Sequence, residues 1–140
     1  MISPDQLNSP DSAEDAAPST ARGYFERGLQ SARLGFPDRA IKDFEEAAWL
    51  DPDDPEIQFN LGTAHLSLGS FEQALANLTN AVRARPDMAD AWGNRAVAHA
   101  AIGEDDACEA DFAEAARRGG NPDGLRTVVE YVRSRRKPRK

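Results

Sequence analysis

Small and large apolar residues recur along this chain with a period of 34 residues, beginning at Ala21. Framed on Ala21, Pro55 and Ala89, the eighth position holds Gly28, Gly62 and Ala96, and the fifteenth holds Gly35, Gly69 and Gly103. Position 20 holds Ala40, Ala74 and Cys108, and position 27 holds Ala47, Ala81 and Ala115. The large residues Phe44, Leu78 and Phe112 stand at position 24, and Pro52, Pro86 and Gly120 close the frame at position 32. Small residues at positions 8, 20 and 27 let two antiparallel helices approach closely, and the large residue at 24 fills the space between neighbouring units. Glycine at 15 suits the left-handed turn that ends a first helix. Proline at 32 stops a second helix, since it lacks an N–H and clashes with the preceding turn. Six such columns in register across three units are not chance punctuation.

The pattern predicts first helices at about 21–34, 55–68 and 89–102, and second helices at about 38–50, 71–84 and 105–118. Asp54 before Pro55 reads as an N-cap followed by a pre-set first turn, and Asn121-Pro122-Asp123-Gly124 reads as a turn. A last helix is expected over 123–136, where Leu125, Val128, Val129 and Val132 form one apolar stripe at helical spacing. A repeat array needs such a piece to cover its final apolar face. Structural capping is therefore the preferred reading, with a dimerisation helix as the alternative. The expected organisation is an acidic, disordered arm at 1–20, three units at 21–54, 55–88 and 89–122, a capping helix at 123–136 and a basic tail at 133–140. In the first 20 residues only Ile2 and Leu7 are large and apolar, too little surface to offset the entropy of ordering.

Composition sharpens the picture. The 140 residues are 40% apolar, enough for one core, but only 7% aromatic, so that core must be built largely from Ala, Leu, Ile and Val. The net charge of −7 is unevenly spread. Arg133-Ser-Arg-Arg-Lys-Pro-Arg-Lys140 carries six bases and no acid, leaving 11 bases against 24 acids, or −13, for residues 1–132. Such asymmetry suggests a tail with its own electrostatic partner. The single cysteine, Cys108, permits no intrachain disulfide and fits a reducing compartment. The N-terminal stretch has neither a basic start nor an apolar run and is not read as a secretory signal. No stretch approaches the 18 consecutive apolar residues of a membrane span. A soluble, cytoplasmic protein is expected.

These residues give the chain its resemblance to a known family. Tyr24-x3-Gly28, Ala40-x3-Phe44 and Pro52, then Leu61-Gly62-x2-His65, Ala74-x3-Leu78 and Pro86, then Trp92, Cys108-x3-Phe112, are similar to the tetratricopeptide repeat pattern W-x2-L-G-x2-Y…A-x3-F…P on a 34-residue period. The resemblance covers residues 21–122. It implies an all-α tetratricopeptide-repeat solenoid of antiparallel helix pairs with a C-terminal capping helix. Departures exist and read as drift: Arg27 and Arg95 stand at the usual Leu position, Gln58 stands at the usual Trp, and Gly120 replaces the third proline, with Pro122 two residues late.

Catalysis finds no support in the motifs. There is no G-x-G-x-x-G, G-x4-G-K-[ST], H-E-x-x-H or C-x-x-C. His65 and His99 share position 11, which in the resembled family packs between helices, so packing is preferred over a metal pair. Cys108, at the small position 20, reads as a buried structural thiol rather than a nucleophile. No enzyme activity, cofactor or metal is expected.

Binding is the stronger case. The resemblance implies that first helices line a concave groove through positions 2, 5, 6, 9, 12 and 13. Carried over, the candidate ligand-binding residues are Arg22, Phe25, Leu29 and Arg33 in unit one, Phe59, Asn60, Thr63 and Leu66 in unit two, and Asp90, Asn94 and Val97 in unit three. The family uses an asparagine at position 6 to pair with a ligand's peptide bonds, and an amide can do this whatever the ligand's side chains. Phe25, Leu29, Phe59, Leu66 and Val97 suit an apolar peptide or amphipathic helix if they are exposed. The carboxylate clamp used for the acidic C-terminal tails of heat-shock chaperones is not reproduced. Phe25, Asp90 and Asn94 stand where it needs bases, and only Asn60 fits. The sequence thus predicts an adaptor, scaffold or assembly chaperone that holds a peptide or helix of another protein. The alternatives are a salt-sensitive tether to nucleic acid or an anionic membrane through Arg133–Lys140, or self-association into a scaffold.

Overall fold

The computed structural model describes residues 17–136. The acidic arm expected at 1–20 lies outside the described residues up to position 16, and so does the end of the basic tail, 137–140. Seven α-helices and no strand occur among the described residues: α1 (Ala21–Arg33), α2 (Pro37–Leu50), α3 (Pro55–Ser67), α4 (Phe71–Ala84), α5 (Ala89–Ala101), α6 (Asp105–Arg117) and α7 (Pro122–Arg135). Each boundary falls within one residue of the reading from the 34-residue pattern.

Local chemistry sets these ends. Thr20, Asp54 and Asn121 cap α1, α3 and α7 by accepting hydrogen bonds from backbone N–H groups of the first turn. After each first helix the chain turns through Gly35, Gly69 and Gly103, with φ of +83°, +77° and +86°. An L side chain is strained there, which explains the glycine column. The third second-helix ends differently. Without a proline at position 32, α6 stops through Gly119 and Gly120, whose N–H groups return to the carbonyls of Ala116 and Ala115.

The helices pair as α1 with α2, α3 with α4 and α5 with α6, and α3 and α5 each stack mainly on the second helix before them. Close approach at position 8 fixes the pairing: a Cβ on Gly28 would stand 2.5 Å from Cε1 of the buried Phe44 ring. The core of units one and two gathers Phe25, Ile41, Phe44, Ile57 and Leu61. Three alanines at position 27 or 20 in this stack are fully buried, Ala40, Ala47 and Ala74, as helices at short range require.

The departures from the family pattern are coupled substitutions rather than drift. Arg27 donates two hydrogen bonds to Asp43, at 2.9 and 2.8 Å, and Arg95 donates two to Asp111, at 2.7 and 2.8 Å. Both pairs link position 7 to position 23 within one unit; unit two has Leu61 and Asn77 there instead. Trp92 Nε1 donates to the Pro86 carbonyl at 2.8 Å, and Gln58 Nε2 donates to the equivalent Pro52 carbonyl at 3.1 Å. Gln58 therefore makes the hydrogen bond of the tryptophan it replaces.

Helix α7 continues the frame. Leu125, Val129 and Val132 stand 34 residues after Ala91, Arg95 and Ala98, and 68 after Ile57, Leu61 and Ala64. They pack on Ala96, Val97, Ala100 and Cys108, with Val129 fully buried. Val128, grouped with them in the expected stripe, is instead 46% exposed, because it belongs to the adjacent face of the helix. Unlike α3 and α5, α7 leans chiefly on the first helix before it, α5, and less on α6. Gly93 permits this: it stands at position 5, where units one and two carry Phe25 and Phe59, and the Leu125 side chain seats over it.

Candidate functional site

The expected groove residues divide by depth. Phe25 and Val97 are 2% and 8% exposed and belong to the core, which corrects the expectation that they line a groove. The Phe25 ring meets Phe44 at 5.7 Å between centroids and faces α3 across the unit boundary. Val97 is covered because α7 leans over α5. Leu29, Phe59 and Leu66 are half-buried, each resting against a core cluster, so their apolar surface is only partly available.

The polar members form a short connected row. Asn94 Nδ2 donates to Thr63 Oγ1 at 2.9 Å, tying α5 to α3. Asn60 Nδ2 donates to the Glu56 carbonyl at 2.9 Å, one turn back on its own helix. Each amide spends one N–H on the fold, and no protein donor reaches either Oδ1 among the hydrogen bonds of the described residues. Both amides thus keep an acceptor and a second N–H.

At one edge of the row Arg22 lies 3.8 Å from Glu56 and 4.0 Å from Glu26, with its guanidinium 5.3 Å above the Phe25 ring. Arg85 approaches Glu56 at 3.9 Å. Asp90 is exposed at the same edge. Arg33 is exposed at the opposite edge, the last residue of α1. Between α1 and α3 opens a pit of about 280 Å³, lined by Ala32, Pro37, Phe44, Asn60, Thr63, Ala64 and Ser67. Four of these (Ala32, Asn60, Thr63 and Ser67) are groove positions of the frame, and the floor is apolar. A smaller hollow of about 220 Å³ lies between the first turns of α5 and α7, beside Asp90 and Asn94.

The far end of the site is built by charge as well as packing. Arg126 and Arg133 both donate to Glu109, and their hydrogen bonds, that of Arg126 foremost, pull its carboxyl down to about 2. Arg136 donates to Asp105 and to the Ala100 carbonyl at the end of α5, and holds the Asp105 carboxyl below its ordinary range. The first bases of the tail are thus engaged with the acidic helix α6. Burial pushes the Cys108 thiol up, as befits a structural residue. His99 sits 3.5 Å from Asp111 and 3.6 Å from Glu104, within its own unit. Among the described residues no cluster of three or more His, Cys, Asp or Glu side chains could hold a metal ion, and no helix is long and apolar enough to cross a membrane.

Sequence reasoning missed the residues that α7 adds. Counted one step further, the frame puts Val128 at position 6, the place of Asn60 and Asn94, Tyr131 at position 9, the place of Thr63, and Arg135 at position 13. All three are exposed, Tyr131 by 64%. The signal was available in the 34-residue spacing of Leu125 and Val129 from Ala91 and Arg95.

No curated protein shows significant sequence similarity to the chain. Similar solved structures include the first TPR of Spaghetti (RPAP3) bound to HSP90 peptide SRMEEVD, 21% identical over 81% of this chain and 93% of that one, with a TM-score of 0.73. The Arabidopsis OM64 TPR domain is 20% identical over 82% and 95%, with a TM-score of 0.74. The TPR2B domain of yeast Sti1, in its pHsp70 complex, is 20% identical over 83% and 98%, with a TM-score of 0.73. At these identities the likeness is one of fold. Residues 25–76 and 59–123 match the sequence model of the tetratricopeptide repeat, and the chain belongs to the tetratricopeptide repeat family.

Proposed function

We propose that this chain is a non-catalytic interaction module that holds a segment of another protein along its first helices, as an adaptor or assembly chaperone in the cytoplasm. The observation that carries the reading is the row of half-buried amides beside the apolar pit: Asn60 and Asn94 each retain hydrogen-bonding capacity next to a recess that accepts a side chain. An extended backbone lying on the row would find donors and acceptors, and one of its apolar side chains would fill the pit. The solved relatives bound to HSP90 and pHsp70 partners support peptide holding as a use of the fold. Their ligand class does not transfer. Phe25 is buried and Asp90 is acidic where a carboxylate clamp needs bases, so an acidic chain terminus would be repelled at that edge.

A tether through the basic tail has less support, since Arg133 and Arg136 already pair with Asp105 and Glu109. The test is affinity capture from native lysate with wild type and the Asn60→Ala/Asn94→Ala double variant, both checked for helicity. A partner held by wild type and lost by the variant is the expected result. An unchanged set of captured proteins would refute the groove as the working surface.

A further inference from the structure

We infer that α7 is the fourth wall of the groove as well as a cap. Its occupant is an extended segment of another protein bearing two large apolar side chains about seven residues apart, with carboxylates beside them. The inference rests on the reading under Proposed function and specifies its ligand. Because Leu125, Val129 and Val132 take the buried positions that Ile57, Leu61 and Ala64 take on α3, α7 has the same roll about its axis. The same roll presents positions 6, 9 and 13 to the groove, as Val128, Tyr131 and Arg135. A helix that only capped the stack would carry polar groups on this face. Instead it carries two large side chains, 46% and 64% exposed, where a ligand would pass. The lean of α7 over α5, seated on Gly93, turns it toward the first helices rather than away from them.

Two apolar anchor points follow: the pit between α1 and α3, and the Val128–Tyr131 face. Successive first helices lie about 10 Å apart, so the anchors are separated by about 25 Å. An extended chain advances about 3.3–3.6 Å per residue, which gives a spacing of about seven residues. Charge selects the rest of the ligand. At position 13 the groove is flanked by Arg33 and Arg135, both exposed and neither paired with a carboxylate among the described residues. The acidic side chains Glu56 and Asp90 stand eleven residues away along the helices, about 16 Å. A segment running over the C-terminal halves of the first helices therefore meets apolar anchors and two free arginines, and acidic side chains complement it.

The experiment uses the full chain and a phage-displayed library of random twelve-residue peptides. Affinities of selected peptides are then read by fluorescence anisotropy. Expected are sequences with two large apolar residues about seven apart and flanking Asp or Glu. Binding should fall about tenfold or more in Tyr131→Ala, in Val128→Lys and in the pit-plugging Ser67→Trp, all at positions whose exposure spares the fold. Arg33→Glu/Arg135→Glu should reverse the preference toward lysine-flanked peptides. If Ser67→Trp abolishes binding while the α7 variants bind within twofold of wild type, the inference about α7 is overturned and the groove reading stands. If none of the variants matters, or no peptide is selected, both fall. Selection of lysine-flanked peptides by wild type overturns the assignment of the occupant. A Tyr131-dependent dimer in sedimentation would give the face to a second copy and overturn it equally.

Discussion

The two Arg–Asp pairs have the same geometry and different surroundings, and truncating each aspartate should therefore cost different amounts. In unit three the Asp111 side chain is 5% exposed and Arg95 18%; in unit one Asp43 is 10% exposed and Arg27 44%. The difference arises because unit three stacks on α4, whose Thr79 accepts from Arg95 at 3.3 Å, whereas the equivalent face of unit one is an end of the stack. Asp111→Ala leaves a largely enclosed guanidinium with only Thr79 and the face of Trp92, 5.0 Å away. Removing one partner of a buried pair costs about 3–5 kcal/mol, and the residual exposure of Arg95 puts the expectation near the lower end. Asp43→Ala lets Arg27 swing into water, at a cost of about 1 kcal/mol. With a urea slope of about 1.5–2 kcal/mol/M, the midpoints should fall by about 1.5–2 M and about 0.5 M, followed by far-UV circular dichroism. The double change Arg95→Leu/Asp111→Asn installs the Leu61 and Asn77 combination that unit two already uses, and should recover stability to within about 1 kcal/mol of wild type. Equal shifts for the two single variants, or a double variant no better than Asp111→Ala, would refute the account.

Three further outcomes follow from the docking of α7. Gly93→Ala should be tolerated, since its Cβ would stand 3.5 Å from Leu125, an ordinary contact, whereas Gly93→Phe should displace α7 and cost about 1–3 kcal/mol. Hydrogen exchange of the α7 amides distinguishes the two. The Glu109 carboxyl is held at about 2 against an ordinary 4.5, so its pairing with Arg126 and Arg133 stabilises the docked helix above the ordinary carboxylate range. That contribution should fade as pH falls from 4.5 toward 2, a change read from the Val129 methyl signals by NMR and absent in Glu109→Gln. Cys108, buried beneath Val129, should react slowly with thiol reagents, and Val129→Ala should speed labelling by about tenfold through easier opening of α7.

Much of the fold was legible because its signals are backbone signals. A glycine column at a left-handed turn and alanines between close helices are read from residue type and spacing alone, which is why every helix end falls within one residue of expectation. The departures were harder. Arg27 at a leucine position reads as noise until Asp43 is recognised as its partner 16 residues on, and the same spacing joins Arg95 to Asp111. Gln58 for tryptophan reads as a loss until the Pro52 carbonyl is seen to receive the same hydrogen bond. A one-residue view penalises both members of a compensated pair.

The candidate site was less legible, for a geometric reason. Groove membership depends on how far each helix tilts, and tilt is set by side-chain volume between helices rather than by period. At position 5, Phe25 and Phe59 act as spacers between successive first helices, and Gly93 removes the spacer once, at the end of the stack. The helix that follows leans in, buries Val97 and carries Val128 and Tyr131 inward along the frame. One small residue thereby takes a side chain out of the groove and gives two others in its place. A frame-based transfer of family positions cannot register that exchange, because it assumes that every first helix stacks as its predecessor does. The useful sequence signal is thus the conjunction of a glycine at position 5 with a frame that continues past the last complete pair.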